Sequence, residues 1–234
     1  MSNLIIVESE NDKYFIESVI EYLNLNIEVD NPICKIDEFN CLGGYKKLSL
    51  KLQDIKIDDY DKIGIILDAD NSINEKIDFI NEALKVITDD VTITKTNQLQ
   101  YSENLDIYFG CHITNIDGKG ELETLLRKIK SQNSIYADCL ESWRKCLEKN
   151  DIQLSQKEFD KLWVSHYLKY DTCIGRDRKQ KAKKCANQLI QNPDNDKIEQ
   201  NLKTTEYTLK KDIWDFESKY LNELKEFLKI FRKD

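Results

Sequence analysis

The 234-residue chain reads as an α/β protein with a mostly parallel four-stranded sheet flanked by helices and an α-helical second half packed on it. Three observations predict this. Short apolar runs alternate with helix-spaced segments through about residue 118. From residue 119 the pattern is almost wholly helical. Two prolines and seven glycines leave no flexible linker between the halves, so residues 1–130 and 131–234 are expected to pack as one unit.

In chain order, Leu4 to Val7 is a strand run, and Asn11 or Asp12 can cap the helix after it. Residues 33–39 offer a weaker strand, and "CLGGY" (Cys41 to Tyr45) is a glycine loop before a helix through about Leu52. Ile63 to Leu67 is the strongest strand. The spacing of Ile77, Ile80, Leu84 and Ile87 predicts a helix over 74–87. Strand-type runs follow at 91–94 and 106–114. Helices are expected over 121–130, 136–149, 155–169, 176–191 and 211–232, the last with a wide apolar stripe from Ile213 to Phe231.

Charge is asymmetric. Residues 1–118 carry 10 Lys/Arg against 23 Asp/Glu, and residues 119–234 carry 25 against 20, so the halves are −13 and +5 and recover the net −8. An acidic first half repels a polyanion unless cations neutralise it. No apolar run approaches the roughly 18 residues of a membrane span. The N-terminus "MSNLIIVESEND" lacks a basic segment and does not read as a signal peptide, so a cytoplasmic protein is expected. Seven scattered cysteines without C-x-x-C spacing, and only two histidines, argue against zinc. His112 and His166 sit among apolar neighbours and read as structural. The Gly43–Gly44 loop is not a phosphate-binding P-loop, because no Gly-Lys-Ser/Thr follows.

Chemistry concentrates in "KIGIILDADNS" (Lys62 to Ser72), where a buried-type strand runs into Asp68 and Asp70. If the extended backbone persists through Ala69, both carboxylates point to one side. Ligands of open parallel sheets sit outside the carboxyl ends of the strands. Two close carboxylates repel unless a cation lies between them, and Mg²⁺ (or Mn²⁺) takes such hard oxygen ligands. Glu8 ends the first strand run and would face the pair across the same rim. A first-strand glutamate turned away, or a basic residue already between the aspartates, would remove this reading.

With Glu8, Asp68 and Asp70 in these places the sequence resembles the Toprim family, the catalytic fold of topoisomerases, bacterial primases and overcoming-lysogenization-defect-type nucleases. "VESENDKYFI", with Asp12 and Phe15, is similar to the family's first motif. The Gly43–Gly44 loop, "LDAD" and the Gly120 to Leu126 element resemble a group of small bacterial Toprim-like proteins. The likeness covers about residues 3–126 and is looser beyond. Ser9 stands where the family usually has glycine, and no glycine closely follows Asp70.

The resemblance implies Mg²⁺-dependent phosphodiester hydrolysis by a nuclease, in phage defence or DNA repair, on DNA or RNA. Glu8 would be acid/base or metal ligand, Asp68 and Asp70 would hold the metal, and Glu121 or Glu123 would complete a second metal site. Lys119 would contact phosphate. Apart from the resemblance, Arg176, Lys179 and Lys183 share one face of a basic helix, while Arg178 and Lys181 lie elsewhere and ring it; the first three would track nucleic acid, against a solvated surface helix. No tyrosine is nominated as a covalent nucleophile, so hydrolysis outranks strand passage. Two other readings stay open: a non-catalytic Toprim-like module binding a protein partner or a second copy, and a haloacid-dehalogenase-type phosphatase with Asp68 as nucleophile and Asp70 as acid/base.

Overall fold

The computed structural model describes residues 2–33, 44–172 and 213–232. It forms two compact units: residues 1–120 with 219–234, and residues 121–218. The helix nominated at 176–191, with Arg176, Lys179 and Lys183, lies outside the described residues, as does the weak strand at 33–39 beyond Ile33.

The first unit holds a five-stranded sheet, one strand more than the sequence predicts. Its strands are β1 (Ser2–Val7), β2 (Glu28–Val29), β3 (Tyr60–Asp68), β4 (Leu99–Ser102) and β5 (Ile107–Thr114), in the order β2-β1-β3-β5-β4. β1, β2, β3 and β5 are parallel, and β4 pairs antiparallel with β5. β4 escapes detection because it is short and only part-buried, without the apolar run of a central strand. The expected strand at 91–94 does not form. Val91 and Ile93 are buried there without a partner strand. The Asn81 side chain serves that stretch instead, accepting from Ile93 N at 2.8 Å and donating to Ile93 O at 2.9 Å.

Side-chain alternation sorts the central strands into two faces. On one, Leu4 and Ile6, Ile63, Ile65 and Leu67, and Phe109, Cys111 and Ile113 form a buried cluster. It includes Leu48 and Leu52 of α2 (Gly44–Asp54) and Ile77, Ile80 and Leu84 of α3 (Ile73–Leu84). On the other face lies α8 (Asn222–Ile230) with Phe231 just past its end. Phe227 stacks on the His112 ring at 5.8 Å between centroids. Asn3 Nδ2 and Lys62 Nζ donate to the Phe231 and Ile230 carbonyls at 2.5 and 2.7 Å. α1 (Glu10–Tyr22) buries Phe15, Ile16, Val19 and Ile20.

The second unit contains α4 (Leu122–Lys128), α5 (Ile135–Asp138), α6 (Leu140–Glu148) and α7 (Gln156–His166). Buried Asp160 accepts from Thr124 Oγ1 at 2.7 Å and pairs with Arg127, whose other arm reaches Glu141 at 3.0 Å. The apolar stripe predicted as one helix from 211 to 232 is divided. Ile213 and Trp214 belong to this unit, where the Tyr167 hydroxyl donates to Ile213 O at 2.8 Å, and helix resumes only at the end of the chain.

Gly64 shows how closely α8's end approaches the sheet. A Cβ there would meet Ile5 Cδ1 at 2.6 Å and Phe231 Cζ at 2.7 Å. Gly64→Ala should therefore destabilise the protein by about 1–3 kcal/mol, read as a lower urea midpoint with unchanged slope. His112 gives a second expectation. Burial pushes its imidazole down to about 4, and Nδ1 lies 2.8 Å from Asn97 Oδ1. The unfolded chain then takes up a proton that the folded one refuses, so stability is full above about pH 6.5 and falls by about 3 kcal/mol toward pH 4. His112→Gln should flatten the pH dependence of the unfolding midpoint across that window by this amount; an unaltered slope would refute it.

Candidate acidic site

The site is set by register. Val7 of β1 pairs with Ile66 of β3, and Asp68 of β3 pairs with Thr114 of β5. Glu8 and Asp68 thus leave neighbouring parallel strands at the same end of the sheet, within one residue of each other along the strands. Ser9 explains the departure from glycine. Its backbone is extended (φ −130°), so no special conformation is needed there. It also caps α1: Ser9 Oγ accepts from Asp12 N at 3.3 Å, and Asp12 Oδ2 accepts from Ser9 N at 2.9 Å. The cap is therefore Ser9 rather than Asn11 or Asp12, and Asp12 serves the helix start.

Asp70 does not continue the strand. β3 ends at Asp68, and Asp70 takes the left-handed conformation at φ 47°. Alternation past Ala69 therefore does not orient the pair. A backbone clamp positions Asp70 instead: its N–H donates to Gly120 O at 3.0 Å, and its carbonyl accepts from Gly120 N at 2.9 Å. Ala69 N donates to Thr114 O at 2.9 Å. The chain then enters α3 through Ser72, whose Oγ accepts from Glu75 N. Gly120 closes a tight turn in which Ile116 and Lys119 pair and Asp117 and Gly118 have positive φ. Lys119, exposed, is thereby next in sequence to the residue facing Asp70.

The first turn of α3 supplies a residue that sequence reasoning missed. Lys76 Nζ lies 2.6 Å from Asp70 Oδ2, with the lysine side chain one-fifth exposed. Burial alone would lower its pKa, but the Asp70 hydrogen bond and the charges of Glu8, Asp70 and Asp68 outweigh it and hold the ammonium above its ordinary value. All three predicted carboxylates thus act on one ammonium. Among the described residues, no three His, Cys, Asp or Glu side chains are grouped closely enough to hold a metal ion. The three carboxylates do not form a metal-binding group here, and the Asp70 oxygen is held by Lys76, a basic residue of the kind the sequence reading set against a metal site. The sequence could have signalled this residue only through its place, four residues after a serine that caps a helix.

Other nominated groups are committed elsewhere. Glu121, in the second unit, pairs with Lys157 and, at 3.4 Å, with Lys161, so its oxygens are taken by lysines. Glu123 belongs to the same unit; burial raises its pKa against the opposing charge of Lys161. Burial pushes the Cys111 thiol up to about 12, which leaves it inert. His166 Nδ1 lies 2.9 Å from Leu162 O at the end of α7.

A family model described as "Protein of unknown function (DUF3226)" matches residues 2–233. The chain belongs to the DUF3226 family. No curated protein matches it. Among solved structures, the C-terminal region of the Burkholderia pseudomallei OLD protein is similar over 97% of each chain, at 14% identity and a TM-score of 0.35. A likeness so loose carries no functional argument. No described helix of this DUF3226 protein is long and apolar enough to cross a membrane.

The clamp on Asp70 can be tested at Gly120, whose φ of 102° suits glycine. Gly120→Ala should cost about 1–2 kcal/mol. It should also speed hydrogen exchange at the Asp70 amide at least tenfold, read by NMR or mass spectrometry; intact protection would show that the clamp does not depend on that conformation.

Proposed function

We propose that this protein hydrolyses phosphodiester bonds of nucleic acid at the Glu8, Asp68 and Asp70 rim with a divalent metal, Mg²⁺ or Mn²⁺. One observation supports the reading: Glu8 and Asp68 leave adjacent parallel strands at the same end of the sheet, with Asp70 two residues on, while the Lys76–Asp70 pair counts against it. Three carboxylates and one ammonium have a net charge of −2, the complement of one divalent ion. The resemblance of the Glu8 and Asp68-x-Asp70 spacing to Toprim enzymes supports the same chemistry.

Bound there, the metal would polarise the phosphodiester and lower the pKa of an attacking water. Asp68 and Asp70 would hold it, with Asp70 fixed from behind by Gly120. Glu8 would hold the metal or take the proton of the attacking water. Lys119, exposed beside the clamp, offers a charge to a phosphate. The Lys76–Asp70 pair favours a second reading, a non-catalytic partner-binding module in which the lysine stays permanently where a metal would bind.

Cleavage of plasmid DNA and of single-stranded RNA with Mg²⁺ or Mn²⁺ separates the two. Glu8→Gln and Asp68→Asn should each lower the rate at least about 100-fold while leaving the thermal midpoint within a few degrees. Lys119→Ala should raise KM several-fold with kcat little changed. No metal-dependent cleavage by the unaltered protein, on either substrate, would move the balance to the binding module.

A further inference from the structure

We infer that α6 is a docking face for a second copy of this chain, packed antiparallel on α6 of that copy; this stands apart from the phosphodiesterase reading. The helix is attached to its own unit by its polar side. Arg144 donates to Gln156 Oε1 at 2.9 Å and lies over the Phe159 ring at 4.9 Å, and Glu141 pairs with Arg127 at 3.0 Å. Its neighbours α4 and α7 bury Leu122, Leu125 and Leu126, and Phe159, Trp163 and Val164, whereas α6 buries none of its residues. Yet Cys139, Leu140, Trp143, Cys146 and Leu147 recur at helical spacing along it, an apolar stripe of the kind a helix normally turns inward. Cys139, Trp143 and Cys146 are exposed, as are Tyr136 before the helix and Ile152 after it. An amphipathic helix held by its polar side leaves its apolar side to a partner.

Charge selects the occupant and its direction. Asp138 and Glu141 stand at the N-terminal end of the stripe. Arg144, Lys145 and Lys149, against one acid, Glu148, stand at the C-terminal end. A parallel copy would set acid on acid and base on base. An antiparallel copy centred near Trp143 sets Glu141 of each chain against Lys145 of the other, and opposes the two helix dipoles. The two Trp143 rings then meet at the two-fold axis, where flat aromatic surfaces remove the most apolar area from water. The same arrangement brings Cys139 of each copy beside Cys146 of the other. A nine-residue helix makes a small contact, so the dimer is weak and reversible, with a Kd of about 10–100 µM.

Sedimentation velocity of the full chain tests the pairing. The average mass should climb from 27.6 kDa toward twice that as concentration is raised about a hundredfold. Trp143→Glu should hold it at one chain throughout, with an unchanged thermal midpoint because the ring is 42% exposed. An unaltered protein that stays at the mass of one chain, leaving the face to a different protein, overturns the proposal. So does a Trp143→Glu chain that associates equally well. Oxidative cross-linking with copper phenanthroline in air fixes the direction, and decides alone if Trp143→Glu fails to fold. A mixture of Cys139→Ser and Cys146→Ser chains should yield a Cys139–Cys146 disulfide, which can form only between copies, read by peptide mass spectrometry. An excess of Cys139–Cys139 or Cys146–Cys146 links, or no link at either position, overturns the antiparallel pair.

Discussion

Like charges at the end of a sheet are the constraint around which this molecule is arranged. β1 and β3 are adjacent and parallel, and they end in Glu8 and Asp68, with Asp70 two residues on. Carboxylates so placed repel one another. The protein meets this with a cation of its own. Lys76 lies against Asp70 and within the field of the other two acids. Removing water from such a pair costs free energy, and the attraction repays it only when the geometry is good. A lysine drawn one-fifth exposed into an acidic rim is therefore a statement about the strength of the local field.

The surrounding backbone converts that field into a fixed geometry. Asp70 adopts a left-handed conformation that aspartate tolerates better than most residues. Two hydrogen bonds to Gly120 hold it there, so the loop after β3 and the turn after β5 are joined at the rim. Ser72 then starts α3 and Ser9 starts α1, each capped by its own hydroxyl. Both acidic strand ends thus pass directly into capped helices. The core beneath is dry: Ile65, Leu67, Cys111 and Ile113 are essentially inaccessible. The rim cannot relax inward without burying charge in that cluster.

The strand–helix alternation and the placing of Glu8 and Asp68 at strand ends were legible because both rest on local pattern. Ile63 to Leu67 is an apolar run ending in charge, and a buried parallel strand has no other common appearance. What escaped depended on partners far away in sequence. β4 is a strand only because β5 offers an edge, with Leu99 opposite Gly110. Val91 and Ile93 have the composition of a strand, yet the Asn81 side chain takes up the backbone groups of Ile93. The stripe from Ile213 to Phe231 has helical spacing, but its first residues pair with Lys130 and Tyr167 in one unit while its last pack on the sheet of the other. Periodicity reports which residues are buried, and it does not report against what.

Lys76 is the sharpest case of that limit, and its placement also argues for its role. A basic residue in the first turn of a helix opposes the helix dipole, whereas Glu75 beside it is favourably placed. Local preference alone would put Lys76 elsewhere or leave it solvated. It is instead paired with Asp70 at 2.6 Å, within the field of Glu8 and Asp68. Where a residue breaks a local rule and a specific tertiary interaction compensates, function is the usual reason for the arrangement. A lysine serving only to hold α3 against the sheet would need one partner. Lys76 pairs with Asp70 at 2.6 Å and also lies in the field of Glu8 and Asp68, which come from the ends of two adjacent strands.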